Sequence, residues 1–298
     1  MNSSYALYTL ATILQLGLLA QATDLMAGHV GRIGFGAITG SCVGSYVYAV
    51  LATHSQQLLL ASVLSVVAAS GVGVSVGYVA ALWDADRYLL VTFVVQLTVV
   101  EVANNAGVTG GPLGIRDVPA LGAGPNRDAT HTTVLILLTC AAVFTVILEV
   151  LTSDRWRFGR RLHWMRDDAP SAIAAGINPF TLHICVSSVQ CVIGAVVGIS
   201  IASVQQYVGP QSFDLWLSLK VITVLILAGP GCAPRYILIA AASIVALTEG
   251  ASIVFTDPVS AGPIEVALTN LVLIVLLLRW RHGLAGPRLV RGGSDNVD

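Results

Sequence analysis

Charge is scarce in this sequence. Only 10% of its 298 residues are charged, where a water-soluble domain carries roughly 25%. A soluble chain of this length needs that charge to cover its surface, so most of this surface faces something other than water. There is one lysine, Lys220, and the net charge of −1 offers no basic footprint for nucleic acid. Cysteine chemistry is also missing. Cys42, Cys140, Cys185, Cys191 and Cys232 fall in or beside apolar runs, none forms a C-x-x-C, and no histidine stands at ligand spacing from them. They read as small apolar core residues, with neither a metal nor a redox role. Met1 to Tyr8 lacks the lysine or arginine of a signal-peptide n-region, so the first apolar run is expected to be a retained span. No G-x-x-x-x-G-K-[ST] phosphate loop occurs, which excludes ATP binding of that kind by this chain. His29, His54 and His131 are scattered without matching acids, which argues against a membrane enzyme.

What the sequence does have is long apolar runs. A bilayer core of ~30 Å takes about 20 apolar residues in a helix, because only an internally hydrogen-bonded backbone is tolerated there. Nine runs qualify or nearly so: Tyr5–Ala22, Ile33–Thr53, Leu58–Leu82, Tyr88–Ala106, Thr133–Thr152, Leu182–Val204, Phe213–Leu227, Tyr236–Phe255 and Ile264–Leu278. The fold class is therefore all-α, a polytopic transmembrane helical bundle of about 9–10 spans, with one transmembrane domain over residues 1–282 and a polar tail over 283–298. Placing the arginine-rich loop 153–179 in the cytoplasm puts the N-terminus outside and the C-terminus inside. Arg32, Arg87, Arg155, Arg157, Arg160, Arg161, Arg166, Arg235, Arg279, Arg281, Arg288 and Arg291 then lie inside, against Arg116 and Arg127 outside. That asymmetry is the positive-inside pattern.

Two loops are long. The outer one, 107–130, is dense in glycine and proline. In the inner one, Asp168 can cap a short helix through Ala172 and Ala175, with Pro170 in its first turn and Gly176 at its end. A plain basic loop would satisfy the charge rule alone; a capped helix of small residues also suits docking into a groove of another protein.

Ionisable groups at depth are costly and mark either pairing or a path. Lys220 and Glu249 lie about seven residues from the outer ends of consecutive antiparallel runs, which predicts a Lys220–Glu249 pair, structural or in a substrate path. Glu101, Asn104 and Asn105 end the fourth run just before Thr109-Gly-Gly111, where they either bond neighbouring helices or line an entrance. Gly28, Gly31, Gly34, Gly36, Gly40 and Gly44 point to close helix packing, or to a broken helix whose backbone meets solute.

Several segments resemble one family in order along the chain. They are Asp24-Leu-Met-Ala-Gly-His-Val-Gly-Arg-Ile-Gly-Phe-Gly36 with Gly44-Ser-Tyr46; Asn104-Asn105 with Thr109-Gly-Gly-Pro-Leu-Gly-Ile-Arg-Asp-Val-Pro119; Arg166-Asp-Asp168 with Ala174-Ala-Gly-Ile-Asn178; Phe213-Asp-Leu with Leu227-Ala-Gly-Pro-Gly231; and Leu278-Arg-Trp-Arg-His-Gly-Leu-Ala-Gly286. Together they are similar to bacterial branched-chain amino-acid ABC permeases of the LivM/LivH type, the M-type subunit most of all. Ala37, Gly34, Pro170 and Asp84-Ala-Asp86 depart from the family's usual residues.

The resemblance implies a coupling segment of Arg166, Asp167, Asp168, Ala172, Ala174, Ala175, Gly176, Ile177 and Asn178. The polar and ionisable groups at depth give an expected substrate path of Glu101, Asn104, Asn105, Thr109, Gly110, Gly111, Lys220 and Glu249. The partners the resemblance implies are a LivH-like second permease subunit, two ABC ATPase subunits that bind ATP and Mg, and an extracytoplasmic solute-binding protein. This chain would carry no cofactor of its own. The solute would be a branched-chain or other small amino acid. The alternative is an ion-coupled secondary transporter without ATPase subunits, using Glu101, Lys220 and Glu249.

Overall fold

The computed structural model describes residues 2–55, 57–121, 129–153, 155–254 and 271. The ninth apolar run, Ile264–Leu278, and the polar tail lie outside them. The described residues form an all-α bundle with ten α-helices: α1 (Asn2–Ala27), α2 (Gly36–Ser55), α3 (Leu58–Leu82), α4 (Ala85–Asn105), α5 (Ala129–Leu151), α6 (Arg157–Asp167), α7 (Ala169–Ala174), α8 (Pro179–Gln205), α9 (Leu215–Ala228) and α10 (Pro234–Val254). Seven stretches, on α1–α5, α8 and α9, are long and apolar enough to cross a bilayer. The first seven expected runs fall on these helices, and the eighth, from Tyr236, falls on α10, which is not among the seven. The second begins three residues late, at Gly36.

The centre of the bundle is α8. It runs parallel to α2 and antiparallel to α1 and α3, as shown by the pairs Gly40–Cys191 and Gly44–Ala195, Gln15–Ser200, and Gly73–Ser188 and Gly77–Ile184. The glycines set this packing. A Cβ on Gly44 would stand 2.6 Å from Ala195 Cα, and one on Gly77 2.5 Å from Ile184 Cα. In a bilayer, helices associate through backbone approach of this kind, since burial of apolar surface gives no advantage over lipid.

The α4 helix is inside-out by the standard of a soluble helix. Its buried residues are Tyr88, Thr92, Gln96 and Ala103, spaced at helical intervals, whereas Leu90, Val94, Leu97 and Val102 are exposed. Polar side chains are satisfied or functional only within the protein, and the apolar ones face lipid or a partner.

One end of the bundle carries α6 and α7. At the other end the α4–α5 connection pairs with the α8–α9 connection through two short antiparallel strands, β1 (Ile115–Arg116) and β2 (Tyr207–Val208). Cys42, Cys191 and Cys232 are buried, as a core role requires. Cys185 departs from that expectation: it is exposed on the outward face of α8.

Candidate functional site

The inner loop folds as the residue types dictate. Asp168 accepts hydrogen bonds from the Ser171 amide, at 3.3 Å, and from its hydroxyl, which holds the Asp168 carboxyl below the usual carboxylate range. Pro170 sits in the first turn, and Gly176 leaves the helix at φ +87°. Asn178 then caps α8 by accepting from Phe180 N at 2.9 Å. Of the expected coupling residues, Ala172 is buried and Ile177 half-buried, while Arg166, Asp167, Asp168, Ala174, Ala175, Gly176 and Asn178 are exposed. A helix of six residues has no stability of its own; its two caps and the buried Ala172 hold it.

The sequence reading missed α6. Its buried Leu162 and Met165 and half-buried Phe158 share one face, and Arg157, Arg160 and Arg161 are exposed. That spacing was the signal available. The last turn of α6 is fastened to the bundle. Arg166 donates from its guanidinium to Gly28 O, just past α1. One turn earlier in α1, Asp24 Oδ1 accepts from Gly231 N at 2.7 Å, between α9 and α10. His29 packs its ring 5.3 Å from that of His163 on α6, and its Nδ1 lies 3.6 Å from Asp24 Oδ2. Asp24 and His29 are both buried. One cluster thus joins α6, the end of α1 and the start of α10.

The expected substrate-path residues do not converge. Glu101 and Asn105 are exposed and bonded to each other, Asn105 Nδ2 donating to Glu101 O at 2.8 Å and to its carboxylate at 3.3 Å; Asn104 is half-buried. The Thr109 hydroxyl closes the α4 terminus on Ala106 O at 2.7 Å. Gly110 and Gly111 follow with φ of +75° and +57°. Lys220 and Glu249 do not pair. The Glu249 carboxylate accepts from the Tyr5 hydroxyl of α1, while Lys220 lines a cavity of about 220 Å³ with Gln15, Gln205 and Thr248. Successive helical residues point ~100° apart. On α10 it is Thr248 that faces Lys220, and the next position turns toward α1.

A second polar assembly, at the break between α1 and α2, was not anticipated from side chains. Residues 28–35 are irregular, and α2 begins opposite the middle of α8, about 16 Å along that helix from Pro179 at ~1.5 Å per residue. Phe35 N donates to Thr92 Oγ1 at 3.3 Å, Cys191 Sγ donates to Gly36 O at 3.2 Å, and Arg32 donates to Ala80 O and Trp83 O at the end of α3. Tyr88, Ser187 and Gln190 are fully buried around this point. Gly40 and Gly44 pack closely against α8, as the first reading of the glycine run expects, and the chain is also broken between α1 and α2 over residues 28–35.

A bundle of long apolar helices, broken at mid-depth and carrying a basic capped loop tied into its core, is a multi-pass membrane transport protein. The sequence matches the family described as the permease component of the branched-chain amino acid transport system over residues 5–279, and the chain belongs to that family. No curated protein and no solved structure matches it.

Proposed function

We propose that this chain is one permease subunit of an ATP-binding-cassette importer, forming with a second permease subunit the path for a small polar solute, a branched-chain or other small amino acid. The α6–α7 end faces the cytoplasm and meets two ATPase subunits, which bind ATP and Mg; the β1–β2 end faces outward toward a solute-binding protein. The observation that carries the reading is the fastening of Arg166 to Gly28 beside the Asp24–Gly231 bond. A mere connector needs no such link. A lever needs one, because movement at α7 must reach the helices that enclose the solute, and each nucleotide state must hold the lever with a different free energy.

The test uses the complex purified through its ATPase subunits and reconstituted in proteoliposomes. Deleting residues 169–174 is expected to abolish ATPase co-purification and uptake while this chain still inserts in the membrane. Retention of both activities overturns the proposal.

A further inference from the structure

The start of α2 is a buried helix terminus with no cap. By contrast, α7, α8 and α9 begin with Asp168, Asn178 and Asp214, whose side chains each accept backbone N–H groups of the first turn. The first backbone bond of α2 runs from Thr39 N to Phe35 O at 3.0 Å. The N–H groups of Gly36, Ala37 and Ile38 therefore have no acceptor among the described residues, although all three residues are buried. Leaving such donors unmet costs about 1–3 kcal/mol each, and the aligned peptide dipoles place partial positive charge at the same point.

Polar side chains gather there, and they too are unmet. Neither amide atom of Gln190 has a hydrogen-bond partner, and Gln190 Oε1 lies 3.0 Å from where a Gly36 Cβ would be. The Tyr88 hydroxyl faces Ser187 one helical turn from Gln190, outside hydrogen-bond geometry, and both hydroxyls are without partners. Each of these side chains is fully buried. Donors thus dominate: three backbone N–H groups, the Gln190 amide nitrogen and two hydroxyls. Gln190 Oε1 can only accept, and the two hydroxyls can accept as well as donate.

That donor set matches an α-amino acid. From it we infer that the broken start of α2 is a mid-depth station that binds the carboxylate of the transported solute, with Gln190 Oε1 accepting from its ammonium group. The inference rests on the importer reading and gives it a binding site that the family description does not assign. Anions bind at helix N-termini for the same two reasons, unmet N–H groups and the helix dipole. Only glycine fits at position 34, where a Cβ would stand 2.5 Å from Tyr88 Cε1, so the Tyr88 ring lies directly over the break.

The experiment measures uptake by the reconstituted complete importer, with L-leucine, L-valine, L-alanine and their carboxamides as probes, for the wild type, Gln190→Ala and Gln190→Glu. Amino acids are expected to be carried in preference to the carboxamides. Gln190→Ala is expected to raise KM for amino acids about tenfold with kcat little changed, the signature of a lost binding contact. Gln190→Glu keeps the side chain's size but opposes the carboxylate, so amino-acid uptake is lost while ATPase co-purification stays at the wild-type level. Unchanged KM in Gln190→Ala together with active Gln190→Glu overturns the station. So does an assembled complex that carries only carboxamides, or none of the probes; that result also removes the amino-acid solute and leaves the importer assembly standing. Failure of the wild-type chain to co-purify with ATPase subunits removes the importer proposal instead.

Discussion

Replacing Gly28 by alanine tests whether the cluster beneath α6 is a structural joint. A Cβ at Gly28 would stand 2.6 Å from Gly231 Cα and would press on both Gly231 N and Asp24 Oδ1, the two atoms of the 2.7 Å hydrogen bond. These neighbours are backbone and a side chain that is itself buried, so neither can swing into open space. Losing a hydrogen bond to a carboxylate costs about 1.5–3 kcal/mol, and overpacking adds ~1–3 kcal/mol. At ~2–4 °C per kcal/mol, the unfolding temperature should fall by about 5–20 °C. A thiol-reactive dye read during heating in detergent, in a Cys140→Ser/Cys185→Ser background that removes the accessible thiols, reports it, because Cys42 and Cys191 are wholly buried until the bundle opens. Arg166→Gln alone should cost less, since Arg166 is largely exposed. Combined with Gly28→Ala it should add little, because both act on the same joint. A melting temperature for Gly28→Ala within about 2 °C of wild type would refute the account of this cluster.

The cap of α7 should be pH-sensitive. Asp168 is held below its ordinary range by Ser171, so the contribution is present above the unfolded carboxylate value and is lost as pH falls through the lower folded value. Protection of the amides in residues 169–174, measured against the intrinsic exchange rate at each pH, should therefore fall at acid pH, and Asp168→Ala should show the same lowered protection at neutral pH. At the other end, Gly110→Ala should disorder the turn after α4. Gly110 has φ +75° and packs against Gly114 O; accelerated proteolysis of the 107–119 connection, with the bundle intact, is the expected readout.

Much of the architecture could be read in the residues because the bilayer imposes length and apolarity together. The runs at Leu58–Leu82 and Thr133–Thr152 carry no competing signal, and the helices match them closely. Legibility failed where the backbone leaves the helix inside the protein. Ile33 is apolar enough to extend the second run, yet residues 28–35 bond sideways, Phe35 to Thr92 and Arg32 to the end of α3. Such contacts are tertiary and leave no periodic mark. Asp168, Pro170 and Gly176 were readable because capping is local. Lys220 and Glu249 were misread because run length gives depth and not rotation, and one residue of rotation on α10 sends Glu249 to Tyr5. Gln190 and Ser187 carry no signal in the sequence, since single polar residues in an apolar run are common; that Gln190 lies against the start of α2, whose first amides are unmet, becomes visible only in three dimensions.

The two short strands at the far end have a mechanical consequence. Ile115 bonds with Val208 and Arg116 with Tyr207, so two connections far apart in the chain are stitched into one plate. Below that plate, buried Pro210 and Phe213 lead straight into α9, and Gln96 of α4 donates to Phe213 O at 3.3 Å and to Ser218 Oγ at 2.6 Å. Pressure from a protein seated on either connection is shared between α4 and α9 as by a buckle, and neither helix can yield without drawing the other along.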